Sequence, residues 1–424
     1  QATLARGGVS ERQRGSLSML TYKKGCSGIY LLLRIAGTAW PHGIIPGLLS
    51  AGLGLVLSLV RDVDDLVSNK ESFVDNPYPY QLFAYLVGFV LIFRTNFSYL
   101  RYWEALDAVQ RMGAKWADGA CMAVAFDAKG DVWTPHLQPS VGIGGNGLHE
   151  AAPDEAEGAL NQGCSHTDFF AEVVNLFSLM HALALQHLRR DPDLLNLAHS
   201  SVARMTVFKS SPLISSSKNA LSGFASKNAS VNRLRLKVLG GLPEEFRCVL
   251  EDDDSGAPLH SLARVAMVES WIMRRLIARQ KYEPAGDMCK TAPPILSRMA
   301  QVISDGNLAF SQAAKVAETP FPFPYHNIIA LFLWMFALTA PFVVNAKVLF
   351  VPARFAINFM AVWAYFSISE VGDNLEDPFM PYDPNDLPLE VIHHNFNARL
   401  LSFGVVPKVA PPASAKLTVS STLA

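Results

Sequence analysis

Charged side chains are scarce in this sequence. Asp, Glu, Lys and Arg make up 17% of its 424 residues, whereas half of the residues are hydrophobic and the mean hydropathy is +0.20. A soluble domain usually carries about a quarter charged residues, so the shortage argues against an ordinary soluble enzyme and predicts side chains in contact with lipid. An excess of positive charge is also missing, because 36 basic residues face 37 acidic ones and the net charge is −1. We therefore expect no nucleic-acid partner.

Cysteine pairs and catalytic motifs are missing as well. The five cysteines include no C-x-x-C pair, which argues against a zinc site or a dense disulfide framework and fits a reducing compartment. The letters G-x-G-x-x-G occur at residues 142–147, but no strand precedes them and Pro139 and Pro153 flank them, so a flexible loop is predicted. His393 and His394 have no partner at metal-ligand spacing. With no nucleophile and base and no phosphate loop, the sequence predicts no enzyme, no catalytic residue and no firm cofactor.

Four long apolar runs are present instead. The first, residues 40–60, has 21 residues and would span about 30 Å of hydrocarbon as a helix. The second, residues 80–93, continues without a break to Glu104, which predicts one long helix that begins in the membrane and ends outside it. The third and fourth, residues 327–344 and 348–368, predict a transmembrane hairpin. Four crossings would return both termini to one side of the membrane.

The charges around these runs predict their orientation. Lys23, Lys24 and Arg34 precede the first run and acidic residues follow it, so the positive-inside rule places the N-terminus on the cytoplasmic or stromal side. Arg354 lies within the fourth run and is expected to face protein, water or an interface rather than lipid. The sequence begins with Gln1, and residues 1–28 are basic and contain several serines, so we expect the remainder of an organelle transit peptide; a cytosolic basic flank would have the same composition.

The hydrophilic middle of the chain predicts a helical body outside the membrane. Residues 168–188 repeat apolar positions at three and four and end at a basic pair followed by Pro192, and their polar side chains favour a buried helix over a fifth crossing. The predicted division has five parts: an N-terminal basic segment at 1–37, a first helix pair at 38–97, the body at 98–325 with loop insertions at 127–166 and 209–231, a second helix pair at 326–370, and an acidic loop and tail at 371–424.

Three aromatic residues follow one face of the second apolar run. Tyr85, Phe89 and Phe93 lie at i, i+4 and i+8, so their rings stack along two turns of the predicted helix. One interpretation is core packing against another helix. The other requires an oligomer, in which each position becomes a ring of side chains and the rings form a hydrophobic constriction. Aromatic edges carry partial positive charge, which suits a weakly hydrated anion.

Several motifs together resemble the bestrophin family of anion channels, in its bacterial, plant and algal branch. They lie at residues 93–104 (FRTNFSYLRYWE), 180–189 (MHALALQHLR), 319–325 (TPFPFPY), 376–379 (EDPF) and 383–389 (DPNDLPL). The resemblance covers most of residues 18–400 without the two insertions. It implies an all-α integral membrane protein with four transmembrane helices per subunit and a helical cytosolic or stromal body, assembled as a homopentamer around one pore.

The resemblance also implies a function and a set of pore residues. A passive channel for small monovalent anions is expected, with chloride first and bicarbonate or nitrate as further candidates, and with membrane lipid and other copies of the chain as partners. Tyr85, Phe89 and Phe93 fall at the family's hydrophobic neck, and Ile295 aligns near its second constriction. The competing hypothesis is a non-conducting pentameric scaffold or regulator in which the aromatic face only packs subunits.

Calcium is the one metal that the resemblance suggests. Asp383 and Asp386 match ligand positions of the calcium loop of animal bestrophins, but Pro384 and Asn385 replace the dense acidic cluster between them. A helix cap or turn uses the same residues, and the structural role is the favoured interpretation. The family branch and the basic N-terminus together predict a chloroplast membrane, the thylakoid membrane first, with a plasma membrane or another organelle membrane as the alternative.

Overall fold

A computed structural model describes residues 37–59, 78–127, 166–200, 235–251, 259–283, 287–380 and 385–404. The N-terminal basic segment, the glycine-rich loop at 142–147, most of both predicted insertions and Asp383 lie outside these ranges. The described residues form nine α-helices, two short strands and two 3-10 turns. The helices are α1 (Ile44–Leu59), α2 (Tyr78–Asp127), α3 (His166–Leu188), α4 (Glu244–Glu251), α5 (Ser261–Tyr282), α6 (Pro293–Glu318), α7 (Phe323–Lys347), α8 (Val351–Glu376) and α9 (Leu389–Ser402), the strands are β1 (Leu197–Ser200) and β2 (Leu236–Leu239), and the turns are Leu194–Asn196 and Asp287–Lys290.

Helix α2 confirms the prediction of one long helix that leaves the apolar region. Its 50 residues extend about 75 Å at 1.5 Å per residue. Its N-terminal part is apolar and largely exposed, whereas its C-terminal part is rich in buried alanine and packs against α6. In both directions a large side chain packs against a glycine: Trp116 of α2 lies against Gly306 of α6, and Ile303 of α6 lies against Gly119 of α2. A Cβ atom at Gly306 would come within 2.4 Å of the Trp116 indole nitrogen, so this close packing requires glycine.

Four described helices are long and apolar enough to cross a membrane, namely α2, α3 from Phe169 onward, α7 and α8. Helices α7 and α8 form the predicted hairpin, and Arg354 lies in the first turn of α8, where its Nε donates to the carbonyl oxygen of Val348. The first predicted crossing corresponds to the shorter helix α1, which begins at Ile44 rather than at residue 40 and is described for 16 residues. Helix α1 packs against both α7 and α8, so it belongs to the same membrane bundle.

Helix α3 forms the centre of the body rather than a fifth crossing, as predicted. In an apolar window of 18 residues within Phe169–Leu188, 78% of the residues are buried inside the folded chain. The small parallel sheet beside it was not predicted: β1 and β2 pair in the register Leu197 with Leu236, and Leu236, Val238 and Leu239 are buried against the helices. Apart from this sheet the described chain is helical, which confirms the all-α fold class with its membrane helices.

Candidate pore face and its supporting contacts

The predicted aromatic face of α2 points away from the core of its own chain. Tyr85 is 75% exposed, Phe89 59% and Phe93 42%. The ring centroids of Phe89 and Phe93 lie 4.7 Å apart, and Phe97 continues the row at 6.2 Å from Phe93. Packing of these rings against another described helix of the same chain is therefore not observed. The face is available to water, lipid or a neighbouring subunit.

The opposite face of α2 determines this direction. Val87 and Leu91 are fully buried against Ile329 and Leu333 of α7. Gly88 allows close approach to Tyr365 of α8, whose hydroxyl would lie 3.3 Å from a Cβ at that position. Val87 and Leu91 each lie two residues from an aromatic residue of the row, which places them on opposite faces of the helix. Burial of Val87 and Leu91 against α7 therefore turns the aromatic residues outward.

A buried arginine ties α2 to the hairpin directly after the last of the aromatic residues. Arg94 is only 2% exposed, and its guanidinium contacts side chains of two helices. Its Nη1 donates to Ser369 Oγ at 3.2 Å, and its Nη2 contacts Asp373, the Nδ1 atom of His326 at 2.9 Å and Glu376 Oε2 at 3.4 Å. A buried cation is tolerated only when it is paired and hydrogen-bonded, and two carboxylates meet that requirement here.

The same cluster has the composition of a metal site. The ligand atoms of His326, Asp373 and Glu376 lie within 4.8 Å of one another. Because the Arg94 guanidinium contacts all three, the cluster already contains a cation that belongs to the chain. We therefore assign it to helix packing and not to a metal. The sequence pattern did not predict this cluster, since Arg94 lies more than 200 residues from His326, Asp373 and Glu376.

A second arginine, Arg101 of α2, contacts the C-terminal ends of two other helices. The Nη2 of Arg101 donates to the carbonyl oxygens of Val316 and Thr319 at the end of α6, and its Nε donates to that of Glu376 at the end of α8, at 2.8 Å. Terminal carbonyls of a helix have no partner within the helix, and a guanidinium can satisfy several of them at once. Arg101 thus fixes α2 relative to both neighbours where the membrane helices meet the body.

Ile295 lies far from the aromatic face. It is exposed in the first turn of α6, and α6 runs antiparallel to α2, with Lys115 Nζ 3.1 Å from Asp305 Oδ2 between them. About 15 Å of helix separates Ile295 from Asp305, and about 33 Å of α2 separates Lys115 from Phe93. The structure therefore places Ile295 at the end of the body remote from the membrane. Its role as a constriction stays a prediction.

Only one of the two predicted calcium ligands is described. Asp386 is buried in the segment that leads into α9. Burial of the Tyr102 ring raises the pKa of its phenol, and the nearby Asp386 carboxylate raises it further. The neighbouring Asn385 donates from Nδ2 to the carbonyl oxygen of Gly37. Asp383 lies outside the described residues, so the calcium loop also stays a prediction.

Two histidines form an unexpected pair inside the body. His181 and His393 are buried, with their Nδ1 atoms 3.0 Å apart and their rings nearly parallel. Burial lowers the pKa of His393 to about 4, and burial together with the neighbouring His393 lowers the pKa of His181 well below its ordinary value. The sequence pattern indicated no partner for His393, because His181 lies 212 residues away along the chain. Both rings are neutral near pH 7, so the pair is part of the core.

Comparisons with known proteins agree with this architecture. A sequence model of the family described as Bacterial/Fungal Bestrophin protein matches residues 197–402. The crystal structure of a point mutant of a bacterial bestrophin homologue from Klebsiella pneumoniae has a TM-score of 0.54 at 14% identity and covers 86% of this chain and 99% of that chain. The structure of the homologue obtained by Zn-SAD phasing has the same TM-score and identity, with 85% and 97% covered. No curated protein sequence matches the chain.

The helices and the structural likeness first define a class, an integral membrane protein with the bestrophin fold. The family match over residues 197–402 agrees with that fold and includes the motifs at 319–325, 376–379 and 383–389. Residues 197–402 thus match the bestrophin family model, and the described chain resembles bestrophin homologues in its fold.

Proposed function

We propose that this chain forms a passive channel for small monovalent anions, with chloride as the principal ion and bicarbonate or nitrate as further permeant ions. Bestrophins are known as anion channels, and the match of residues 197–402 to that family makes this the first function to test. The observation that carries the proposal is the row formed by Tyr85, Phe89 and Phe93, which is exposed in the single chain although it lies on an apolar membrane helix.

The proposed pore is the axis of a homopentamer. Five copies of α2 with this face turned inward would place three aromatic rings in succession along the axis, and such a constriction limits conduction by excluding water. Ring edges facing the axis favour anions over cations. Ile295 is proposed as the second constriction, at the remote end of the body. Mass measurement of the purified protein tests the assembly, since five 46.3 kDa chains sum to about 230 kDa.

Reversal potentials in planar bilayers test the function directly. With purified protein under a chloride gradient, we expect the current to reverse near the chloride equilibrium potential, and to shift when bicarbonate replaces chloride on one side. Replacing Phe89 and Phe93 by Ala should raise the conductance or change the chloride-to-bicarbonate permeability ratio by several-fold, since the rings would no longer narrow the pore. Ile92→Ala, an equally exposed neighbour on the same helix, is the matched control and should keep both values.

A pentameric scaffold without a pore is the competing proposal. It is favoured if the protein is pentameric, carries no anion current with or without calcium, and loses assembly when Phe89 and Phe93 are replaced. We also propose that Asp383 and Asp386 can coordinate a calcium ion. Calcium titration of the wild-type protein and of Asp383→Asn would test it, and an unchanged current in both would leave those residues with the structural role.

We further propose a thylakoid membrane as the location. The support is compositional, namely the basic and serine-containing residues 1–28 and the resemblance to the plant and algal branch. Fluorescent tagging with membrane fractionation tests this proposal. Recovery in the plasma membrane would exclude the location without affecting the channel proposal.

A further inference from the structure

The cluster around Arg94 contains more acceptors than one guanidinium nitrogen can satisfy. Nη2 carries two hydrogens, yet His326 Nδ1, Asp373 Oδ1 and Glu376 Oε2 all lie within hydrogen-bonding range of it. A second guanidinium nitrogen, Nη1, donates to Ser369 Oγ at 3.2 Å. His326 holds its place beside Arg94 only as one of three competing acceptors, so a change in its chemistry redistributes the hydrogen bonds of the whole cluster.

The contact with Arg94 defines the protonation state of His326. A guanidinium only donates, so Nδ1 of His326 must accept at 2.9 Å and the ring proton must be on Nε2. This is a neutral imidazole. Its side chain is 48% exposed, so protons from the surrounding water reach it. Histidine is the side chain that most readily gains charge between pH 5 and 8.

Protonation would reverse the sign of this interaction. It would remove Nδ1 of His326 as an acceptor and place a second cation next to Arg94. The carboxylate of Asp373, 4.0 Å from His326 Nδ1, would then interact with both cations. The other ionisable groups facing the cluster in the described chain are Glu376 and Glu370 of α8, the latter 3.6 Å from His42 before α1. From the segment between α6 and α7, the ring of Phe321 lies 6.0 Å from the guanidinium.

Arg94 transmits such a change to the proposed neck because it directly follows Phe93. Its side chain is buried against Gly372 of α8, so the guanidinium and its stem hold this turn of α2 on the hairpin. Neighbouring residues of a helix project about 100° apart. The anchoring of Arg94 therefore sets the direction in which Phe93 points, and Arg94 acts as a positioning residue.

We propose that the Arg94–His326 contact makes the channel sensitive to pH, with protonation of His326 on the body side of the membrane reorienting Phe93 and changing anion conductance. This inference rests on the proposed channel function. His326, the residue that would control conductance, lies at the surface of the α7–α8 hairpin and outside the row formed by Tyr85, Phe89 and Phe93.

Bilayer recordings with chloride at pH 7.5 and 5.5 on each side in turn test the inference. Wild-type conductance should change at least twofold when the body side is acidified, and should recover at pH 7.5, which distinguishes gating from acid unfolding. His326→Asn keeps an acceptor without a titratable proton and should abolish the change. His326→Lys supplies a permanent cation and should shift the pH 7.5 conductance in the direction that acid shifts the wild type.

Two further histidine variants make the result specific. His394→Asn removes an exposed body histidine that does not contact Arg94 and should keep the wild-type pH response. His42→Asn removes the partner of Glu370, and the inference is overturned if this variant, and not His326→Asn, loses the response. It is also overturned if chloride current is present but independent of pH. Absence of chloride current at every pH in pentameric protein would instead contradict the channel function itself.

Discussion

At the scale of single residues, a proline in the membrane hairpin explains one contact between helices. Pro341 lies inside α7 and has no backbone N–H, so the carbonyl oxygen of Ala337, four residues earlier, lacks its helical partner. Ser50 of α1 donates to that oxygen at 2.6 Å, and Asn358 of α8 donates to Ser50 Oγ at 3.1 Å. Helices α1, α7 and α8 thus meet at the carbonyl oxygen that the proline leaves without a helical partner. Without Ser50 it would be an unsatisfied polar group in an apolar surrounding.

Replacing Ser50 by Ala should lower the free energy of unfolding by about 1 to 2 kcal/mol, the usual cost of losing one buried hydrogen bond. Ser58→Ala, which removes only an exposed bond within α1, should cost less than about 0.5 kcal/mol. In a Pro341→Ala background, Ala337 regains a backbone partner and Ser50→Ala should cost less than it does alone. Denaturation in detergent measures the wild type and these four variants. Strictly additive effects of Ser50→Ala and Pro341→Ala would contradict the proposed pairing of Ser50 with the carbonyl oxygen of Ala337.

At the scale of helices, the junction between membrane and body depends on one side chain from α2. Arg101 satisfies carbonyls at the ends of both α6 and α8, whereas other contacts between α2 and α6 join one pair of side chains at a time. The planar guanidinium reaches these acceptors in several directions, which a lysine ammonium on a single stem does not reproduce.

Arg101→Lys should therefore destabilise the protein by about 2 kcal/mol and loosen the junction, because at least one helix-end carbonyl would lose its donor. Arg111→Lys is the matched control, since Arg111 is exposed on the same helix and pairs only with Asp107 one turn away. Thermal unfolding and protection of amides near Thr319 from hydrogen exchange would measure the effect. Equal behaviour of the two variants would mean that Arg101 does not hold the helix ends.

At the scale of the whole molecule, the core of the body contains a hydrogen-bonded polar network. His393 contacts the carbonyl oxygen of Lys237 through Nε2 at 2.9 Å, so its Nδ1 accepts the proton on Nδ1 of His181. Asn397 donates to the same carbonyl oxygen and accepts from Ser178. These bonds join α3, β2 and α9, and they require both histidines to be neutral.

The network predicts how stability depends on pH. The folded-state pKa of His393, about 4, lies below the value of about 6.5 expected in the unfolded chain, so the unfolded state binds more protons between these values. Stability should be constant above pH 7 and fall as the pH drops below 6.5, by on the order of 3 kcal/mol at pH 4 from His393. Melting temperatures from pH 8 to 4.5 measure it.

His393→Gln, which keeps a donor and an acceptor, should flatten that curve, whereas His394→Gln, at an exposed position, should leave it unchanged. A wild-type curve that is flat between pH 7 and 4.5 would show that the histidine pair does not control the acid stability of the body.

Long segments with one strong pattern were predictable from the sequence, and contacts between distant segments were not. The apolar runs and the periodic residues 168–188 each contain enough repeats to predict a helix and its burial. The start of α1 was predicted four residues too early, because Trp40 to Gly43 are apolar or neutral but form turns before the helix. Strands β1 and β2 have four residues each and no pattern of their own, so only their pairing identifies them.

Hydropathy and local motifs are properties of contiguous residues, so the amino-acid sequence was enough to predict a membrane protein, its membrane helices and its resemblance to the bestrophin family. The folded chain was needed to show that Tyr85, Phe89 and Phe93 point outward and that Arg94 contacts His326, Asp373 and Glu376. Those facts depend on which face of α2 is buried and on side chains more than 200 residues apart, and only the packed chain brings such groups within a hydrogen bond of each other.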